Sequence, residues 1–421
     1  MRPRVRALAL AFALGWTVVA PAQEPEKPAD PTDLVNAVLT ALSGFSDLSE
    51  AELQSEVADI GGVPFKHPVP LEYMTHAELA KYLRQMFDEE YPADRAMVDQ
   101  RLLTAFDLLP EEVDLREERG RLLLDNIAGF YDERPDRRRL YAVSEEHRLT
   151  PANQIVMAHE LRHALQDQYM DVQGLLPESV GDFDDRRLAL LSLLEGDATL
   201  VMEAFLMRRL PGVPEGAFAD LSGVTLPDDG MAGTPAVLRD QLVKPYFAGR
   251  DFVRALVQQG GWARVKEAWS HPPASSEQIL HPEKYTAGDA PRPVSVDYAP
   301  TGGKLLGDGV LGELLLRTFL GEGREDAAAG WGGDHYRLWD VKGRTLLVWR
   351  SVWDAPEAAR QFTDAARGRL EASHGAGRPE GAWTVYRRNG WIVALGAAGG
   401  SPMLLASNDE RALKAAQDAN P

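Results

Sequence analysis

The stretch Leu149-Thr150-Pro151-Ala152-Asn153-Gln154-Ile155-Val156-Met157-Ala158-His159-Glu160-Leu161-Arg162-His163 carries a helix start and a metal-binding pattern in one run. Thr150 has the side chain of an N-cap, and Pro151 suits the first helical position, where no N–H is needed. Ile155, Val156, Ala158, Leu161, Ala164 and Leu165 supply apolar helical positions. No Gly or Pro interrupts the pattern as far as residue 169 or 170. Residues four apart lie on one helix face. His159 and His163 can therefore reach one ion together, with Glu160 beside the open position as a base for water. With 9 His and 64 acidic residues in 421, random placement gives about 0.03 occurrences of such a pentapeptide.

A catalytic zinc takes three protein ligands, so two imidazoles leave one to find. Glu195, in Leu191-Ser192-Leu193-Leu194-Glu195-Gly196-Asp197-Ala198-Thr199, is the candidate. A helical pattern over 186–209 puts it on a stripe with Leu188, Leu191, Ser192, Thr199 and Met202. A carboxylate on a mostly apolar stripe needs a compensating charge once buried, and one Zn2+ ion supplies it. The plainer alternative pairs Glu195 with an arginine such as Arg162 or leaves it half exposed. Gly196 costs about 1 kcal/mol inside a helix, which points to a close backbone approach there. Asp167 and Asp197 are candidates for orienting a liganding imidazole.

Working upstream, strand-like runs at 127–131 and 140–143 flank the polar stretch 132–139, a hairpin leading into the metal-binding helix. Its edge can pair with an extended peptide. Downstream, a helical stretch over 246–269, broken at Gly260-Gly261, precedes Pro272-Pro273-Ala274-Ser275-Ser276-Glu277-Gln278-Ile279-Leu280-His281-Pro282-Glu283-Lys284-Tyr285. The prolines and serines of this segment read as an ordered loop. Hydrolysis at a metal also calls for a donor to the developing oxyanion. His281 and Tyr285 are the candidates, with Tyr131 a third. The remaining histidines, His67, His76, His147, His271, His335 and His374, show no ligand-like spacing.

The pentapeptide followed by a glutamate on a later helix resembles the gluzincin class of zinc metallopeptidases. More closely, the chain is similar to a largely uncharacterised group of secreted bacterial proteins of that type. The matching residues are Gly129-Phe130-Tyr131-Asp132, the run 159–168 (HELRHALQDQ), Glu195-Gly196-Asp197-Ala198 and the segment 272–285. The resemblance covers most of the chain from about residue 65. It implies His159, His163 and Glu195 on zinc, Glu160 activating water, and a protein or peptide substrate. One departure stands out: His163 to Glu195 is 32 residues (195 − 163), longer than the usual gluzincin gap, and an insertion over 171–185 accounts for it.

Composition sets the frame. The N-terminus is basic through Arg2, Arg4 and Arg6, then apolar over 7–20, then Ala20-Pro21-Ala22, the pattern of a cleaved signal peptide over 1–22. Its removal takes the formal charge from −19 to −22 and leaves no membrane anchor. A chain this acidic lacks the footprint that nucleic acid requires. The expected location is the periplasm or outside the cell. There is no cysteine, so disulfides and a lipid-modified N-terminus are excluded.

The expected fold is α+β: a mainly helical zincin-like metallopeptidase domain over 63–290 with a small active-site hairpin or sheet, then an α+β accessory domain over 300–421. A linker and two short helices, 32–42 and 49–60, fill 23–62. Thr75-His76-Ala77-Glu78 has capping-box spacing and opens a helix to residue 90, and another spans 93–108. A Gly-, Pro- and Asp-rich loop covers 210–234, and the domain break falls at 286–303. Beyond it, helices are expected over 305–320, 356–372 and from Ser407, with strands over 336–341, 345–352, 383–388 and 391–396. Asn389-Gly390 marks a hairpin. The expected activity is zinc-dependent peptide-bond hydrolysis. The alternatives are a zinc hydrolase of a non-peptide bond and a zincin-like binding or scaffold protein without useful turnover.

Overall fold

Capping chemistry sets the first helices of the computed structural model, which describes residues 48–125, 129–134, 136–145, 147–170, 172, 175, 181–209, 231 and 233–420. The signal peptide, the linker, the helix over 32–42 and most of the loop over 210–234 lie outside the described residues, as does part of the insertion over 171–185. Ser49 with Glu52 and Thr75 with Glu78 form reciprocal capping boxes. They open α1 (Glu50–Ile60) and α2 (His76–Glu90). Between them runs β1 (Leu71–Met74), and beyond come α3 (Ala93–Ala105) and α4 (Leu115–Asp125). The hairpin strands are β2 (Gly129–Asp132) and β3 (Arg139–Val143). They pair antiparallel, and β1 joins β3 in parallel on the other side, so β2 is an edge.

Three long helices build the centre: α5 (Pro151–Tyr169), α6 (Asp185–Arg209) and α7 (Ala236–Ser270). Two helical pieces of α7 meet at a kink, where Gly260 and Gly261 leave helical geometry and Gly261 takes φ +68°. Backbone meets backbone where α6 crosses α7. A Cβ on Gly196 would lie 2.0 Å from the Gly249 carbonyl carbon, and one on Gly249 would lie 1.8 Å from the Ser192 carbonyl oxygen. The unfavourable glycine in α6 is thus explained by the close approach that its sequence context suggested.

The segment 272–285, expected as a loop, is instead two short helices, α8 (Ser276–Leu280) and α9 (Pro282–Ala287). Ser275 caps the first and Pro282 opens the second, so the residues that read as breakers act as helix starts.

The remainder is a seven-stranded antiparallel sheet of order β4-β5-β6-β10-β9-β8-β7. Its strands are β4 (Gly303–Gly309), β5 (Trp331–Val341), β6 (Arg344–Trp353), β7 (Arg378–Glu380), β8 (Trp383–Arg388), β9 (Trp391–Ala398) and β10 (Ser401–Ser407). Helices α10 (Gly312–Leu320), α11 (Pro356–His374) and α12 (Glu410–Ala419) accompany it. The sheet corrects two expectations. The run 305–320 divides into β4 and α10 because Gly312, at φ +74°, turns the chain. The final helix starts after Asp409, whose carboxylate accepts from Arg411 and Ala412 N–H, while Ser407 ends β10. Asn389 and Gly390, at φ +50° and +80°, form the expected tight turn.

The helical part and the sheet share a core. Phe106, at the C-terminal cap of α3, meets Tyr336 and Trp349 edge-on at 6.4 and 6.3 Å, and Leu102, Leu238, Leu316 and Phe362 join the same apolar cluster. No helix among the described residues is long and apolar enough to cross a membrane.

Candidate metal centre

Thr150 accepts from the Asn153 N–H and Asn153 answers with its side chain, so α5 begins at the predicted cap with Pro151 first. One turn of α5 separates His159 from His163 on the face turned to α6. There the structure brings His159, His163 and Glu195 together. His159 Nε2 lies 3.0 Å from His163 Nε2 and 3.2 Å from Glu195 Oε2, and His163 Nε2 lies 3.5 Å from the same oxygen. Zinc–nitrogen bonds of about 2.0–2.1 Å place tetrahedral ligand atoms about 3.3 Å apart, so these spacings fit such an ion. His159 is 2% exposed and Glu195 1%. Two nitrogen lone pairs and a carboxylate oxygen cannot converge in such burial without a positive charge among them. Among the described residues this is the one group of three side chains so arranged.

The electrostatics express the same demand. Burial pushes Glu195 upward, but the charge of His163 and hydrogen bonds from both imidazoles outweigh it and hold the carboxyl at about 2. Burial pushes His163 downward, yet the Glu195 carboxylate raises it to about 9. His159 is lowered, chiefly by burial. The positive charge that faces Glu195 in this arrangement is the protonated His163, at the place a metal ion would take.

Glu160 is fully buried beside the group. Its Oε2 accepts the Tyr131 backbone N–H at 2.8 Å, on the outer edge of β2, while Oε1 has no hydrogen-bond partner among the described residues. Burial raises this carboxyl to about 8, with the charge of Glu195 adding to the effect. One oxygen is therefore fixed by the edge strand, and the other is left for a proton.

A chain of hydrogen bonds orients His163. Gln166 Nε2 donates to Leu194 O and to Asp197 Oδ2, at 3.0 and 2.9 Å. Its Oε1 therefore accepts, and His163 Nδ1, 2.8 Å away, carries the proton. That tautomer leaves the Nε2 lone pair for a metal. Asp197 also accepts from Arg162 Nε and from Trp269 Nε1. The guanidinium of Arg162, fully buried, lies over the Trp269 ring at 4.6 Å. Arg162 thus pairs with Asp197 and leaves Glu195 to the histidines.

Other expected residues lie elsewhere. His281 Nε2 pairs with the buried Glu313 at 3.0 Å, and Tyr285 donates to the His271 carbonyl at 2.8 Å while its ring meets Phe252. The structure does not bring either to the His159–Glu195 group, because both side chains fasten α8 and α9 to their neighbours. Tyr131 gives its hydroxyl to Asp167 at 2.7 Å. Asp167 also pairs with Arg138, so Gln166 and not Asp167 touches an imidazole.

Three site residues escaped the sequence reading. Gln166 had a usable signal, three positions after His163 on the ligand face. Tyr246 of α7 had none: its ring stacks on His159 at 5.9 Å between centroids and borders a cavity of about 120 Å3 that Glu195 also lines. Glu90, at the end of α2, borders the same cavity.

One family model matches the chain. It is a domain of unknown function (DUF8575), and it covers residues 303–401, from β4 to the start of β10. That match includes no residue of the metal centre. Neither the curated proteins nor the solved structures yield a match.

Proposed function

We propose that this chain is a secreted zinc-dependent peptidase of the gluzincin kind, with His159, His163 and Glu195 holding one Zn2+ ion. The observation that carries the reading is the triangle of donor atoms 3.0 to 3.5 Å apart with the unpartnered Glu160 Oε1 beside it. When bound, the ion polarises the scissile carbonyl and lowers the pKa of water. Glu160 Oε1 takes the proton of the attacking water and passes it to the leaving nitrogen, while the Tyr131 N–H keeps Oε2 fixed. Gln166 holds His163 in the tautomer that presents Nε2. The outer edge of β2 runs beside Glu160 and orients an extended peptide by main-chain hydrogen bonds. Tyr246, on the cavity wall beside Glu195, is the hydroxyl we assign to the developing oxyanion in place of His281 and Tyr285.

Elemental analysis should find one zinc per chain, lost in the double variant His159→Ala, His163→Ala. Casein or a peptide library should be cut by wild type and not by Glu160→Gln with zinc retained. Tyr246→Phe should lower kcat by about 100-fold at unchanged zinc content. Zinc-loaded protein without Glu160-dependent cleavage of any peptide would leave a non-peptide hydrolase or a scaffold as the reading. Export is tested by the fate of residues 1–22 in cells.

A further inference from the structure

Arg162 directly precedes the ligand His163 in α5, and its side chain is fully buried. Its Nε donates to both oxygens of Asp197, at 3.0 and 2.9 Å, and one terminal nitrogen lies 2.9 Å from Asp197 Oδ1. The guanidinium sits 5.3 and 4.6 Å from the ring centres of Trp262 and Trp269 in α7. Helix α1 closes the remaining side. Gly61 caps its C-terminal end, and a Cβ there would overlap Arg162 Nη1. The C-terminal end of a helix favours a cation. Stability alone does not account for this pair. Taking two charges out of water costs more than their attraction commonly returns, and Nη1 finds no acceptor among the described residues. Two apolar side chains of similar volume would hold the same helices together. They would not hold the Gln166 amide, whose Nε2 donates to Asp197 Oδ2 at 2.9 Å and whose Oε1 faces His163 Nδ1 at 2.8 Å.

Resting on the zinc reading above, we propose that Arg162, seated against the C-terminal end of α1, is a positioning residue for the metal ligand His163. The guanidinium and the Trp269 indole fix the Asp197 carboxylate, the carboxylate fixes the Gln166 amide, and the amide fixes the imidazole with Nε2 toward His159 and Glu195. Helix α1, which contributes no ligand, is then part of the metal site, because it sets where the guanidinium can lie.

The double variant Arg162→Met, Asp197→Leu tests this, since it removes both charges together and leaves neither buried alone. Zinc affinity is read by competition with a chromogenic chelator, at a temperature where circular dichroism shows both zinc-free proteins folded. The double variant should bind zinc about 10- to 100-fold more weakly than wild type. The His163 ring N–H proton of the zinc-loaded protein, seen by nuclear magnetic resonance, should lose its protection from solvent exchange. Wild-type affinity in the double variant would overturn the positioning role and leave the zinc reading intact. If the double variant does not fold, Gly61→Ala decides. Its φ of −81° suits alanine, and the added methyl crowds Nη1 without removing any charge. Zinc affinity should then fall by at least about threefold, and an unchanged affinity would overturn the proposal. Wild type that binds no zinc would sink the metal reading and this role with it.

Discussion

Gln166 shows how one uncharged side chain governs a charged centre. Its amide bridges the His163 Nδ1–H to Asp197 and the Leu194 carbonyl, so a single residue sets the imidazole tautomer and joins α5 to α6. Replacing Gln166 with Leu keeps the approximate volume and removes both functions. Zinc affinity should fall by about 10- to 100-fold, read by competition with a chromogenic chelator. An unchanged affinity would show that His163 needs no help to present Nε2. Arg162 belongs to the same system, since its guanidinium neutralises Asp197 in full burial beneath the histidines.

Elements meet at two places that fix the long helices. The first is the α6–α7 crossing, where Gly196 and Gly249 let backbones touch beside Glu195. Gly249→Ala would drive a methyl into the Ser192 carbonyl, so the helices must part and carry Glu195 with them. The loss should be about 1–3 kcal/mol in urea unfolding, with weakened zinc binding. Gly120→Ala makes the contrast: its methyl meets the Phe87 ring at 3.5 Å, an ordinary contact, and α4 gains helix propensity. Equal behaviour of the two variants would mean that the crossing is not tight.

The second place is the attachment of α8 and α9. Asp185, at the start of α6, accepts the Ser276 N–H, and His281 pairs with Glu313 of α10. The hydrogen bond that His281 Nε2 donates to the Glu313 carboxylate raises His281 above the ordinary value of 6.5. A raised histidine stabilises the fold fully below its unfolded pKa, and the contribution is lost as pH rises through the folded one. Urea midpoints of wild type should therefore decline from pH 6.5 upward, more steeply than those of His281→Gln. Parallel profiles would show that this pair adds nothing. His281 is partly exposed, so solvent screens the effect and it should be modest.

At the scale of the molecule, the sheet is part of the scaffold and not a separable appendage. Phe106, Leu102 and Leu238 of the helical part pack into the cluster that holds Trp331, Tyr336 and Trp349. A chain ending at residue 300 would expose that apolar surface to water. It should lose cooperative thermal unfolding and bind a hydrophobic dye, whereas a well-folded, monodisperse fragment would show that the shared core is dispensable. The domain of unknown function matched at 303–401 shares that core with α3 and α7.

The amino-acid order alone specified whatever depends on neighbours along one element. The α5 start at Thr150, the pairing of His159 with His163, the Asn389-Gly390 turn and the α6 span with its costly glycine all follow from helical or hairpin geometry within a few residues. Central strand β10 left no such trace, because its residues 402–406 are buried and show no apolar–polar alternation. The loop expected around His281 failed for a related reason, since serine and proline open helices as readily as they end them. Tertiary structure alone decided which distant groups meet: Gln166 with Asp197, Tyr246 with His159, Glu90 and Glu195 on the walls of one cavity, and His281 with Glu313. Those meetings depend on how α6 and α7 cross and on a core shared by helices and sheet, and such contacts are set by packing across space, which no local spacing encodes.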